Sequence, residues 1–282
     1  MKYERISAFR SAARGYTLTE VMVAITLAVF LLMGLFSILQ QTRNASNETS
    51  GLSQLQDDER IAMTILTDTI QQAGYTPSAN GGLQSLFVAD GVFANQGQLM
   101  VGGTGPVVGD RLTVRYVLGD PDTALTCLGT SNHTGGPKVF KATFEINNTF
   151  TGWGQALACS SDDGVSDQPL VNNVVNLTFQ FAVNTTSATS STPPNTVGPN
   201  TEASNNIGNG CPADTYIITA SMSPADWTNV CAVKVDIVFI NPLFQPPGQP
   251  NPTPGQPQYI TFERVISVQS KAGVNVTTVT QT

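Results

Sequence analysis

From Val21 to Leu39 the chain reads VMVAITLAVFLLMGLFSIL, a stretch without a single charged residue. With Tyr16–Thr19 before it, the run is long enough to cross the hydrocarbon core of a bilayer as a helix. Lys2, Arg5, Arg10 and Arg14 precede it and only Arg43 follows closely. The positive-inside rule therefore puts residues 1–15 in the cytoplasm and the bulk of the chain outside. A secretory signal peptide would be followed by a small-residue cleavage site, but here the run continues into Gln40, Gln41, Thr42 and Arg43. The apolar segment is expected to be retained, and a plain signal-anchor helix is the simplest account of it.

Length and composition do not set the class, because 282 residues and 40% hydrophobic content fit one large domain or two small ones. The charge balance is more informative. With the basic leader set aside, 9 basic and 19 acidic residues remain, a net charge of -10. A phosphate-gripping surface needs the opposite sign, so nucleic acid is not a predicted partner. Cys127, Cys159, Cys211 and Cys231 all lie beyond the apolar run, where an exported domain meets oxidising conditions. Four cysteines allow three pairings, or buried free thiols. Loop closure is cheapest for Cys127 with Cys159 and Cys211 with Cys231.

Beyond a polar stretch at 44–51, Leu52, Leu55, Ala62, Ile65, Leu66, Thr69, Ile70 and Ala73 recur at helical spacing. Gly74 is a natural C-cap, and Pro77 supports a stop there. Residues 16–74 read either as one helix about 90 Å long, with Gly34 and Gly51 as weak points, or as two helices joined by a linker at 44–51. From residue 86 the apolar period becomes two. Leu112, Val114, Tyr116 and Leu118 alternate with other residues, as do Phe140, Ala142, Phe144 and Ile146. So do Val175, Leu177, Phe179, Phe181 and Val183, then Val233, Val235, Ile237 and Phe239, and finally Ile260, Phe262, Ile266 and Val268. The expected fold class is α+β: a long N-terminal helix, hydrophobic and then amphipathic, packed on an antiparallel β-sheet head with long loops. Two low-complexity insertions interrupt the strands. Residues 184–210 lack core-forming side chains, and 241–258 carry seven prolines between two strand candidates.

Glu20 is out of place at the start of a lipid-embedded helix, where an ionised group costs up to about 3 kcal/mol unless it finds a partner. The residues Arg14-Gly15-Tyr16-Thr17-Leu18-Thr19-Glu20 before VMVAITL resemble the class III signal of type IV prepilins. That resemblance implies cleavage between Gly15 and Tyr16 by prepilin peptidase, with N-terminal methylation by the same enzyme. It also implies that Glu20, the fifth residue of the mature chain, meets the N-terminal amine of a neighbouring subunit. Major pilins usually begin with Phe where this chain has Tyr16, which favours a minor subunit. Leu55-Gln56-Asp57-Asp58-Glu59-Arg60 through Ala73-Gly74-Tyr75 is similar to the corresponding helix of PilW-type minor pilins. The organisation implied is a cleaved leader at 1–15, an assembly helix at 16–43, an amphipathic stalk helix at 44–75 and a periplasmic head at 76–282.

The implied function is that of a minor pilin priming or capping type IV pilus assembly from the inner membrane. Its partners would be prepilin peptidase, other minor and major pilins, and a tip adhesin. A minor pseudopilin of a type II secretion system shares the same plan, and a single-pass receptor with an exported head is the reading from another class. An enzyme is not expected. His133, the one histidine, sits in a turn, so a triad or a histidine-based metal centre has at most one candidate. Asp162, Asp163 and Asp167 cluster around a glycine in a pattern hard cations favour, without the spacing of an EF-hand, and read as a polar turn. Asp120 and Asp122 read the same way. No phosphate-binding or dinucleotide glycine pattern occurs, and no cofactor is expected.

Overall fold

The computed structural model describes residues 15–76, 86–119, 125–131, 137–162, 167–185, 211, 213–244 and 256–271. The chain divides into two compact units at the Gly51–Leu52 bond. One helix, α1 (Leu18–Gln71), runs through that boundary unbroken. The alternative of two helices joined by a linker at 44–51 is thereby set aside.

In the first unit every described side chain of α1 up to Ser50 is exposed. Its hydroxyls fold back on the helix: Thr26 Oγ1 donates to Val23 O, Thr42 Oγ1 to Ile38 O and Thr49 Oγ1 to Ala45 O, at 2.8, 2.9 and 2.8 Å. Asn44, Ser46, Asn47, Thr49, Ser50 and Gly51 are all poor helix formers, together about 4 kcal/mol worse than alanine at those six positions.

Among the described residues the second unit holds the rest of α1 and nine strands in two antiparallel sheets. The first sheet is a meander of β1 (Met100–Thr104), β2 (Asp110–Leu118), β3 (Lys138–Asn147), β4 (Ala156–Ser161) and β5 (Gln168–Asn172). The second orders β6 (Val174–Val183), β7 (Thr215–Ile218), β8 (Val230–Ile240) and β9 (Tyr259–Ser267) as β7-β6-β8-β9. A single residue, Asn173, carries the chain from one sheet to the other. It does so with φ of +59°, a conformation Asn tolerates better than most side chains. The sequence predicts one sheet; two form because β5 and β6, adjacent in the chain, turn a corner at Asn173 instead of pairing.

One continuous core joins both sheets and the helix. Ala62, Met63, Leu66 and Ile70 of α1 belong to it, with Leu112, Val114 and Phe144 of the first sheet and Leu177, Phe179, Val235 and Ile237 of the second. The helical face read from the sequence is buried at Leu55, Ala62, Leu66, Thr69, Ile70 and Ala73. It also includes Met63, which the spacing missed. The β3 and β8 alternations match the buried faces, whereas in β2 the residues between Leu112, Val114, Tyr116 and Leu118 are buried as well. In β6 the buried side chain at the start is Val174, not Val175, because a bulge between Val174 and Asn176 inserts one residue and resets the alternation.

β2 is buried on both faces from Leu112 onward. Its second face is covered by 86–99, a segment fastened by Arg115, which is only 2% exposed. The guanidinium donates to the carbonyls of Gln98, Val88 (2.6 Å), Phe87 (3.0 Å) and Asn95, and lies over the rings of Phe93 and Phe87 at 4.3 and 5.3 Å. An irregular segment packed on a sheet must still find donors for its carbonyls, and one side chain here supplies four of them. Burial pulls the Arg115 guanidinium down to about 10, opposed by the charge of Asp90, and it stays protonated at neutral pH.

Three long connections leave the sheets as hairpin excursions, with bases at Leu118 and Lys138, Val183 and Thr215, and Ile240 and Tyr259. Each is closed. Cys127, in the first, is bonded to Cys159 of β4, and Cys211, in the second, to Cys231 of β8, with Cα separations of 6.5 and 5.4 Å. Thr185 also donates twice to the Asp214 carboxylate, from its amide and its hydroxyl. The proline-rich connection has no disulfide; buried Asn241 donates from its amide to Gln258 O and from Nδ2 to Pro257 O. Cross-links that close loops of this size typically stabilise by about 3 kcal/mol each.

The helix ends where its next residues become sheet. Gly74 N–H donates to Arg115 O and Val117 N–H to Tyr75 O, which extends the first sheet past β1, while Ser270 Oγ donates to Ala73 O at 2.7 Å. Gly74 has φ of +74°, and a Cβ there would meet Leu99 Cδ1 at 2.7 Å. Gly129 shares the conformation, with φ of +73°, but faces open space. In thermal unfolding of the detergent-solubilised chain, Gly74→Ala should cost about 3 kcal/mol and Gly129→Ala about 1 kcal/mol, the difference reporting the clash.

Candidate functional site at the start of the apolar helix

Gly15, Tyr16 and Thr17 are outside the helix, which begins at Leu18. Thr17 is its N-cap. The Thr17 carbonyl accepts from the amides of Glu20 and Val21 at 3.1 and 3.3 Å, and Thr17 Oγ1 accepts from Glu20 N–H at 3.4 Å. Glu20 is thus the third helical residue, and Thr17-x-x-Glu20 has the composition of a capping box. This signature is legible in the sequence from Thr17 and Glu20 alone. It places the carboxylate at the positive end of the helix dipole, the favourable end for an anion.

The surroundings of these residues are open. Tyr16 is 82% exposed, and a Cβ added at Gly15 would meet nothing within 4 Å. Among the described residues Glu20 enters no ion pair. From Val21 to Leu39 the large apolar side chains are exposed as well, on a helix long and apolar enough to cross a membrane. Among the described residues Glu20 is therefore the one carboxylate on this exposed apolar stretch of helix.

Among the described residues the head offers no comparable constellation. His133, Asp120, Asp122 and Asp163 lie outside the described residues. Asp162 faces an ammonium: Lys141 Nζ stands 3.8 Å from its Oδ2 and 2.6 Å from Asp90 Oδ2. Burial raises the Glu145 carboxyl against the pull of Arg111, and the charge of Asp167 adds to the rise. Among the described residues no three His, Cys, Asp or Glu side chains come together as a metal site. All four cysteines are in disulfides.

No protein-family model and no curated protein matches the chain. Among solved structures it aligns with a type IV-like pilin from Thermus thermophilus at 12% identity, covering 77% of this chain and 98% of that one, with a TM-score of 0.36.

One charged cluster on the second sheet is unusual in its electrostatics. Asp236 on β8 stands directly opposite Glu263 on β9, and Lys234 Nζ takes Glu263 Oε2 at 2.7 Å. Asp236 Oδ1 is buried with no donor. Burial, and then the charge of Glu263, push the Asp236 carboxyl up, against the pull of Lys234. An acid whose pKa is raised by folding binds more protons folded than unfolded between its unfolded pKa and its raised one. Its ionisation therefore destabilises the fold as pH climbs through that window, and acidification relieves the cost. Asp236→Asn should raise the melting temperature at pH 7, and the gain should shrink as the solution is acidified and the wild-type carboxyl takes up its proton.

Proposed function

We propose that the chain is the precursor of a type IV pilin-like subunit, and within that class a minor pilin of the PilW type that primes or caps pilus assembly. The observation that carries this reading is Glu20: among the described residues a carboxylate without an ion pair, five residues after Gly15 and in the first turn of a helix whose next charged residue is Arg43. In this account prepilin peptidase cuts between Gly15 and Tyr16 on the cytoplasmic side. Residues 16–43 anchor the subunit in the inner membrane, and the head is exported.

Assembly then moves the apolar helix from lipid into a bundle of like helices. There the charge of Glu20 can be met by the terminal amine of a neighbouring subunit. A carboxylate buried among apolar helices is tolerable with such a partner and strongly unfavourable without one. Two properties of the head support the export side of the reading. Both disulfides require an oxidising compartment, and the excess of acidic over basic residues speaks against a nucleic-acid target. The remaining partners in this account are other minor and major pilins and a tip adhesin.

The reading is tested by mass spectrometry of the N-terminal peptide from cells that contain the peptidase. A mature terminus at Tyr16 is expected, and an intact Met1 terminus would sink the proposal. Gly15→Ala should leave uncleaved precursor in the inner membrane. Because the added methyl enters open space, that defect would report recognition by the peptidase and not a folding fault. Glu20→Ala should be cleaved normally but enter fibres at least about tenfold less well, the loss of one partner of a buried pair. Undiminished incorporation would remove the pairing role.

A further inference from the structure

α1 has two different supports and a gap between them. Its last turns are held by the head core, through Leu55, Ala62, Met63, Leu66 and Ile70. Its first turns carry the apolar surface from Val21 to Leu39, the length of chain that a bilayer core accommodates. Between them, residues 44–50 are all exposed and Gly51 is half-buried. None of the ion pairs among the described residues involves this stretch. Six of its eight residues are poor helix formers that prefer caps, turns or the unfolded chain. Thr49 adds a hydroxyl back-bond onto Ala45 O, which competes for a helix carbonyl and tends to bend the helix.

We infer that residues 44–51 are a joint: helical at rest, but opening locally while the helix on either side stays closed. Helix formation is cooperative, so the turns on each side nucleate this stretch and hold it in line without its own residues favouring the state. Local opening therefore costs far less here than in the turns fixed by burial. The boundary between the two compact units falls at the end of the same stretch, at Gly51 and Leu52. The consequence is that the exported unit need not move rigidly with its apolar helix. This inference rests on burial and propensity alone and stands whether or not the chain is a pilin.

The test is hydrogen exchange on the full chain in nanodiscs of phosphatidylethanolamine and phosphatidylglycerol. Amides of 45–51 should exchange about 100-fold or more faster than those of 56–70. Trypsin supplies a second measure with an internal control, because Arg43 and Arg60 are both exposed on α1 but only Arg60 lies in the packed part. Cleavage after Arg43 should precede cleavage after Arg60. Replacing Asn44, Ser46, Asn47, Thr49, Ser50 and Gly51 together by alanine keeps the length and raises helix propensity. It should slow exchange in this stretch by about tenfold or more and leave 56–70 unchanged. Equal exchange in 45–51 and 56–70 of the wild-type chain would overturn the inference, as would an alanine variant that exchanges like wild type.

Discussion

The face of α1 from Leu55 to Ile70 must leave water, and the head is arranged around that requirement. Neither sheet could bury its apolar face against solvent, and a five-stranded and a four-stranded sheet with the helix close a single core over Met63, Leu66 and Ile70. Because every strand pair is antiparallel, the strands can be joined by hairpins, and the chain grows outward only where those hairpins lengthen. The disulfides sit at two of these lengthened connections. A long excursion adds loop entropy at its base, and a covalent tie from it to a neighbouring strand removes much of that freedom from the unfolded chain.

Polar side chains do the rest of the fastening, and they act mostly on backbone. Arg115 gathers four carbonyls of an irregular segment onto β2. Asp110 Oδ2 accepts from Phe179 N–H and from Thr219 Oγ1, joining the first sheet to the second. Ser270 answers a carbonyl at the end of α1, and Asn241 closes the proline-rich hairpin. These contacts are individually worth little against water, but each satisfies a backbone group that would otherwise be left unpaired on burial. The open face of the second sheet is treated differently, with two carboxylates opposed across β8 and β9 and one lysine to balance them.

The N-terminal half of α1 obeys another logic. Among the described residues nothing covers it, and its single carboxylate stands in the first turn, where Thr17 caps the Glu20 amide. An apolar surface of this extent belongs in lipid or against other helices, and the proposed assembly function uses both in turn. The head, by contrast, is self-sufficient in its core. The two halves of one helix thus answer to two solvents, and the stretch that serves neither is the one rich in asparagine, serine, threonine and glycine.

The amino-acid order by itself determined the elements whose physics is local or periodic. The uncharged run, the position of Glu20 behind Gly15 and Tyr16, the buried face of α1, the stop at Gly74 and the long alternating strands are all legible, because spacing alone dictates which side chains share a face. β1, β4, β5 and β7 were not legible. They are short, or buried without alternation, and pair only because a longer neighbour offers an edge. The bulge at Val174, the corner at Asn173 and the division into two sheets were likewise tertiary decisions, made by which strands could close over the helix. The burial of Arg115 is the clearest case: in sequence it occupies a polar position of a half-exposed strand, and only the packing of residues 86–99 over that face gave its charge four carbonyls and two aromatic rings to live among.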